Sequence, residues 1–478
     1  MNSSKNTSTG VMPADMTPVQ LPDMKLSGRH IWIVFVASLG QMIGTALATL
    51  VGIVIPMIQI LSHPELPSWL QGLLGCMDLI GIAIGSVILG NISDKKGYLG
   101  LFRICPLLMV GGTLMSIFFP NVWVLLISLF IIGFAIGGEY SLDSNYISEL
   151  MPVKWRSFMV GAAKAASALG NILVAGICYL LIVRWNTAEA WPKLLWIIAI
   201  MAGVMFILRI DFAGSPRWLI EHGKKEEAKK ALKKFFPNKN VVLSQEVIEQ
   251  AEKKNSVINQ KNNAPKQNLF SFIRQNGKKV VLSGIPWACE GLGVYGIGVF
   301  LPMLVMALGL EHYTPDMSRI LHVASSVEIT FWISCLILPG FVIGLAIINK
   351  IDNIKILYWG FFICAISLVV LLYGYEYRWA KWISLTSFMI FELFLNIGPH
   401  LITYVLPPKI YPVAERGIGS GLAACIGKIG AVLAVFFIPM LLSAGGATLV
   451  LWVSAGVMFI GGLTTLIVGP KVLPSEKV

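Results

Sequence analysis

Charged residues are scarce in this chain of 478 residues. Only 13% are Asp, Glu, Lys or Arg, whereas 56% are hydrophobic, and the mean hydropathy is +0.75. A soluble protein of this size carries about a quarter charged residues. Apolar runs recur along the whole chain, and each is long enough to cross about 30 Å of hydrocarbon as a helix. The composition excludes an ordinary soluble domain and predicts a helical integral membrane protein.

Enzyme and metal-site motifs are missing as well. The chain has neither a phosphate-binding glycine loop nor a nucleophile constellation, so we expect no ATP hydrolysis and no other enzymatic activity. The seven cysteines are scattered through apolar runs without the spacing of metal ligands. We expect them to be small buried side chains, and we expect no metal site and no cofactor.

The excess of positive charge is concentrated in one place. Of the net charge of +12, most lies in residues 213–279, which hold 15 Lys or Arg against 6 Asp or Glu. The connection at Pro120-Asn121 carries no basic residue, whereas Lys95 and Lys96 lie in the preceding one. Basic loops mark the cytoplasmic side of a membrane protein. We therefore expect a cytoplasmic loop and two cytoplasmic termini, and no nucleic-acid-binding surface.

The apolar runs predict twelve membrane spans in two sets of six. The expected spans are 31–61, 68–92, 101–119, 121–147, 157–183, 193–212, 279–309, 325–348, 356–376, 382–408, 417–443 and 446–469. They divide the chain into a disordered tail (1–30), a six-helix bundle (31–212), a loop with short amphipathic helices (213–278), a second bundle (279–469) and a tail (470–478).

An internal repeat relates the two sets of spans. Five residues return at one offset of 260 residues: Gly138, Pro152, Arg156, Gly161 and Gly170 recur as Gly398, Pro412, Arg416, Gly421 and Gly430. Equivalent helices that run in the same direction form a parallel repeat. Repeats of this kind place a substrate site between the halves, near the middle of the membrane.

The repeated motifs resemble those of the major facilitator superfamily. The string Gly-Asn-Ile-Ser-Asp-Lys-Lys-Gly at 90–97 is similar to the loop between its second and third helices, and Ser-Pro-Arg-Trp-Leu at 215–219 looks like its sugar-porter-type branch. The resemblance covers nearly the whole chain. It implies an all-α membrane fold of twelve helices, built as two parallel six-helix repeats, that moves a small solute by alternating access.

Two longer strings resemble the phosphate:proton symporters and the bacterial metabolite permeases near them. Gly-Gly-Glu-Tyr-Ser-Leu at 137–142 is similar to their fourth helix and implies proton coupling at Glu139. The resemblance implies a substrate site formed by Tyr140, Trp287, Tyr295, Asn396 and Lys428. The chain departs from the family in three ways: the first span has no acid, the acid of the seventh span is displaced by one place, to Glu290, and Lys164 is an addition in the fifth span.

Ionisable residues inside spans are costly and are therefore functional candidates. Glu139 and Asp143 are four residues apart and point the same way from the fourth span. Lys164, which the family lacks, lies eight residues above Arg156, or about 12 Å. We expect two acids and two lysines, Lys164 and Lys428, to meet near the bilayer centre. The acids would exchange protons and the lysines would attract an anion, with Glu290 in the same site.

A structural alternative is an ion pair of Glu139 with Lys164 that holds the fourth span to the fifth. Asp78 and Glu392 are lone acids within spans, and Glu328 lies near a span end, where we expect solvation. His400, beside Pro399, lines the cavity or bonds a neighbouring carbonyl. These residues are weaker candidates.

Four charged residues on the loop side form a candidate conformational gate. We expect Asp94, Lys95, Arg156 and Arg416 to make charge contacts that stabilise one end state. Such contacts must break when the cavity opens inward. Their role is conformational, not chemical.

The leading interpretation is a monomeric transporter in a bacterial inner membrane that takes up a small anionic metabolite, an organic acid or phosphate, with protons. One alternative is a uniporter or exporter of a sugar or other metabolite without proton coupling, because the first span has no acid. An alternative of another class is a non-transporting sensor that signals through its basic loop.

Overall fold

The computed structural model describes residues 26–152, 155–235, 269–312, 314, 316–411 and 416–473. These residues are helical almost throughout and include no β-strand. They contain eleven helical segments that are long and apolar enough to cross a membrane. The last segment, Ile418–Val472, has 55 residues, and its backbone is non-helical at Gly445 and Gly446. It therefore forms two spans, which gives the twelve that the sequence predicts.

The first six spans are formed largely by long helices. Their bounds are Gly28–Leu61, Ser68–Lys96, Tyr98–Phe118, Val122–Leu150 and Arg156–Trp185, with the sixth span formed by Trp191–Leu194 and Trp196–Arg209. The boundary between spans 2 and 3 is a single residue, Gly97, with φ of 82°. Glycine adopts this conformation without a steric cost. The chain therefore passes from one helix to the next with no further connection.

The last six spans are more often interrupted. Span 7 comprises Leu269–Gly291, the π-helix Leu292–Ile297 and Leu301–Ala307; span 8 comprises Arg319–Ser334 and Ile337–Ile347; span 9 is Asn353–Glu376; span 10 comprises Lys381–Ile397 and Pro399–Ile410; Arg416–Val472 forms spans 11 and 12. The helix of span 7 begins ten residues before the predicted start and bends at Asn276. Two short helices, Pro216–Glu221 and Lys225–Phe235, lie between the halves in the chain.

Large apolar side chains cover the outside of the helical bundle. Val87 is 72% exposed, Leu180 is 65% exposed and Ile207 is 66% exposed, although each lies inside an apolar helix. A soluble monomer does not expose so many apolar side chains over one continuous surface. This surface faces lipid, and the protein is a multi-pass membrane protein.

The two halves approach each other through glycine at one end of the bundle. A methyl group at Gly52 in span 1 would lie 1.7 Å from the Val299 carbonyl oxygen in span 7. A methyl group at Gly72 in span 2 would lie 2.1 Å from the Phe436 carbonyl oxygen in span 11. Small residues let membrane helices approach backbone to backbone. The halves are thus closed against each other at the end where spans 1 and 2 are joined.

We expect Gly52→Leu to destabilise this closed arrangement, because any side chain at this position overlaps the backbone of span 7. Overpacking of a tight contact costs about 1–3 kcal/mol, and the thermal unfolding midpoint of the purified protein should fall accordingly. Gly111→Leu is the matched control, since nothing lies within 4 Å of a methyl group at Gly111. Equal midpoints for the two variants would show that spans 1 and 7 do not meet at Gly52.

Candidate functional site

A central cavity lies between the two halves. Spans 1 and 5 line one side, and spans 7, 8 and 10 line the other. Its polar lining comprises Thr45, Thr49, Lys164, Ser167, Asn171, Tyr295, Thr330, Ser334, Glu392, Asn396 and His400. The cavity holds about 50 Å³ that water could occupy, so the helices must part before a metabolite can enter.

Two lysines, one from each half, meet two tyrosines beside this cavity. The Lys428 ammonium in span 11 donates a hydrogen bond to the Tyr295 hydroxyl at 3.1 Å. It lies 4.5 Å from the centre of the Tyr295 ring and 5.5 Å from that of Tyr140. Lys164 in span 5 lies 5.8 Å from the same Tyr140 ring. The tyrosine rings therefore hold both ammonium groups at the boundary by cation–π attraction.

A row of buried polar side chains lines the side of the cavity that spans 7 and 10 form. The Glu290 carboxylate in span 7 lies 3.8 Å from Nε2 of His400 in span 10. Nδ1 of His400 lies 2.9 Å from Oδ1 of Asn396, whose amide nitrogen donates to Oε1 of Glu392 at 3.2 Å. Glu290 also interacts electrostatically with Lys164 and Lys428. This row of polar contacts thus connects the lysine pair to Glu392.

The π-helix of span 7 orients two of these residues. Glu290 and Tyr295 are five positions apart, and an α-helix would place them on different faces. The π-helix Leu292–Ile297 makes wider turns, which bring residues five apart closer to one face. Glu290 consequently reaches His400 while Tyr295 reaches Lys428. Such π-segments occur frequently at functional sites.

A second charged cluster lies wholly inside the first six spans. Arg209 at the end of span 6 forms salt bridges with Glu139 and Asp143 of span 4, the latter at 3.4 Å, and all three side chains are 0% exposed. The Arg209 guanidinium also donates to the backbone carbonyls of Val36 at 3.2 Å and Ala37 at 3.0 Å in span 1. One arginine therefore ties three spans together.

The sequence of this chain matches one protein family over nearly its whole length. Residues 3–473 match the family described as Sugar (and other) transporter. The chain belongs to this family. It is 24% identical over 462 residues to the inner membrane metabolite transport protein YgcS of Escherichia coli K12, with 96% of each chain covered. It is 26% identical over 444 residues to a putative inorganic phosphate transporter of rice, covering 87% of this chain and 82% of the relative.

The fold is also that of a solved transporter. The inward-open xylose transporter XylE of E. coli superposes with a TM-score of 0.75 at 18% identity, covering 94% of this chain and 98% of XylE. Together with the family, this fold confirms the predicted all-α major facilitator architecture. The protein is a secondary transporter of the sugar-porter type that handles small molecules, and it is not an enzyme.

The structure brings together most of the residues predicted for the substrate site. Tyr140, Lys164, Glu290, Tyr295 and Lys428 form one cluster, and Asn396 joins it through His400. The seventh, Trp287, is placed differently. A methyl group at Gly427 would lie 2.7 Å from its ring, and Tyr404 packs edge-on at 6.4 Å. Trp287 therefore packs spans 7, 10 and 11 together.

The arrangement of the acids corrects one expectation. The sequence predicts Glu139 and Asp143 beside the two lysines, or Glu139 in a pair with Lys164. Both acids instead bind Arg209, because span 4 turns this face toward spans 1 and 6 and its Tyr140 toward the lysines. Sequence reasoning missed Arg209, although it lies inside the predicted sixth span. Because Arg209 lies in the last turn of its helix, it resembles the basic residues that mark the cytoplasmic end of a span.

The remaining candidates have different surroundings. Asp78 is buried, and its Oδ1 accepts a hydrogen bond from the Leu79 amide at 2.8 Å. Glu328 of span 8 is half-buried and interacts with Tyr179 of span 5. The side chains of the predicted gate, Asp94, Lys95, Arg156 and Arg416, lie outside the part that the structure describes. Their gating role stays a prediction.

We expect Arg209→Met to destabilise the protein strongly, because it leaves two buried carboxylates without their cation. Breaking a buried ion pair in this way costs about 3–5 kcal/mol. The triple variant Arg209→Met, Glu139→Gln, Asp143→Asn removes all three charges and should recover most of the loss. Thermal unfolding of the purified proteins measures both effects. A triple variant as unstable as the single one would contradict a charge-balanced cluster.

Proposed function

We propose that this transporter takes up an anionic metabolite, an organic acid or phosphate, together with protons. The observation that carries the proposal is the pair of lysines at the boundary of the two halves. Both termini and the basic loop are proposed to lie in the cytoplasm of a bacterium, because basic loops are retained on that side. The functional unit is proposed to be the monomer, since each chain holds its own cavity.

Lys164 and Lys428 are suited to an anion because their charges are incompletely compensated. Both are half-buried. Among the described side chains, neither has a carboxylate within the 4.0 Å of a salt bridge. A partly buried charge without a close partner is unfavourable, and an anion that binds between the two ammonium groups relieves this cost. Since each lysine belongs to a different half, the bound anion would also draw the halves together.

Two groups of acids support coupling to protons. In the Arg209 cluster, one cation faces two carboxyl groups, so a proton on Glu139 or Asp143 balances the charge. At the cavity, the Glu290 carboxylate competes with a substrate anion for the two lysines. A proton on Glu290 removes this competition and favours joint binding of proton and anion. The putative phosphate transporter of rice is consistent with such a substrate.

A neutral sugar is the second candidate. The cavity also presents uncharged polar groups, with the Thr49 hydroxyl donating to Asn171 at 3.1 Å. A D-xylose transporter of Levilactobacillus brevis is 26% identical over 419 residues. With no acid in span 1, a sugar carrier would work here as a uniporter or an exporter. Solute flux into reconstituted vesicles also separates either transporter from a sensor, which would carry no flux.

We expect Lys164→Ala and Lys428→Ala each to raise the KM for the transported anion at least tenfold, because each removes a charge that binds it. Uptake of labelled phosphate, succinate and xylose into proteoliposomes measures the effect. Lys193→Ala is the control, since Lys193 lies against Trp185 at a span end, away from the cavity. Unchanged KM in both cavity variants would remove the case for an anion and favour a sugar.

We expect Glu139→Gln to abolish uptake driven by a pH gradient while leaving substrate exchange largely intact. Asp143 keeps its salt bridge to Arg209 in this variant, so the cluster retains a balanced charge. Uptake and counterflow in the same vesicles measure the two activities, with Glu226→Gln on the loop surface as the control. Equal loss of both activities would assign Glu139 a structural role.

A further inference from the structure

A groove separate from the transport cavity lies where the short loop helices meet spans 2 and 3. It contains about 310 Å³ of space. Its lining combines apolar and basic side chains, among them Leu99, Trp218, Lys96, Lys224, Lys230 and Lys234. Nothing in the transport mechanism uses these residues.

The floor of the groove is an aromatic platform. The Trp218 indole stacks on the imidazole of His222, with ring centres 4.0 Å apart. A methyl group at Gly97 would lie 3.1 Å from the same indole, so the turn between spans 2 and 3 packs directly on it. The Lys224 ammonium lies 5.7 Å from the centre of the Trp218 ring. The platform therefore fixes one basic side chain at the groove.

The rim of the groove is basic on two sides. Lys230 and Lys234 are four residues apart on the Lys225–Phe235 helix and share one face, and Lys224, which precedes this helix, also lines the groove. Lys234 is paired with Asp211, whereas Lys230 forms no salt bridge with a carboxylate among the described side chains. Lys96 at the end of span 2 lies across from them. Glu227 is the one acid among the lining residues that the structure describes, and it lies 3.9 Å from Lys224. The groove therefore has a positive charge that favours an anion.

The groove adjoins the lipid-facing surface. Leu99, in its lining, begins a stripe of span 3 that continues through Arg103 to Leu107, which is 50% exposed. Arg103 donates to the Ile210 carbonyl at 2.9 Å, and Ile207, one turn earlier in span 6, is 66% exposed. An acyl chain packed on this surface would place its headgroup at the lysines.

We propose that this groove binds the phosphate headgroup of an anionic membrane lipid. Lys96, Lys224 and Lys230 contact the phosphate, while Leu99 and Trp218 pack against the glycerol and the first acyl carbons. Basic pockets at the membrane surface attract anionic headgroups in this way. The lipid connects the loop helices to spans 2 and 3 and anchors them at the membrane surface. This inference does not depend on the identity of the transported solute.

The test compares two variants of one helix in the full-length protein. Lys224→Gln/Lys230→Gln removes two charges from the groove, and Lys229→Gln/Lys233→Gln removes two from the outer face, where Lys229 pairs with Glu226 at 2.9 Å. Purified proteins in neutral detergent receive phosphatidylglycerol, phosphatidylcholine or soluble glycerol phosphate. Native mass spectrometry measures bound lipid, and thermal unfolding measures stabilisation.

We expect phosphatidylglycerol, but not phosphatidylcholine, to bind and stabilise the wild type and the outer-face variant. The groove variant should bind it roughly 30-fold more weakly, because each lysine near a membrane surface contributes about 1 kcal/mol to the attraction of anionic lipid. Equal weakening of the two variants, or no preference for the anionic lipid, would overturn the proposal. Equal stabilisation by glycerol phosphate would overturn the lipid as the occupant and assign the groove to a soluble phosphate.

Discussion

Hydrocarbon offers no hydrogen bonds, so each charge inside a span must find its partner within the protein. The protein places its internal charges in two clusters with opposite properties. The cluster of Arg209, Glu139 and Asp143 is enclosed and joins spans 1, 4 and 6. The cluster of Lys164, Lys428 and Glu290 lies at the boundary between the halves, where its charges are incompletely paired. The first cluster holds one half together, and the second is the proposed binding site of the solute.

This difference suits alternating access. A half that moves as a body must keep its internal charge pairs in every state, and the Arg209 cluster lies entirely within the first six spans. The contacts between the halves are of another kind: backbone meets backbone at Gly52 and Gly72, and lysines meet tyrosine rings. When the halves move apart, these contacts separate without breaking a close ion pair. The interruptions in spans 7, 8 and 10 place irregular backbone beside the cavity, as in other transporters.

The sequence predicts the fold well because the length and hydropathy of a segment directly indicate whether it crosses the membrane. All twelve expected spans have helical counterparts, and the predicted connection at 444–445 differs by one residue from the observed break at Gly445 and Gly446. The site was only partly predictable. The depth of each residue along its helix predicts Lys164 and Lys428 near the bilayer centre, but depth does not report which way a helix is turned. Span 4 directs Tyr140 and Glu139 to different partners, and the π-helix that contains Tyr295 changes which side chains of span 7 face the cavity. The hydropathy of the sequence reports neither the orientation of span 4 nor the π-helix of span 7.

The central claim is that a lysine from each half binds one anion, and ligand binding to the purified protein tests it most directly. Thermal unfolding is measured with a panel of phosphate, organic acids and sugars, for the wild type and for the double variant Lys164→Ala/Lys428→Ala. The account predicts that an anion stabilises the wild type at concentrations near its KM and does not stabilise the double variant. Stabilisation of both proteins by a neutral sugar, with no response to any anion, would contradict it.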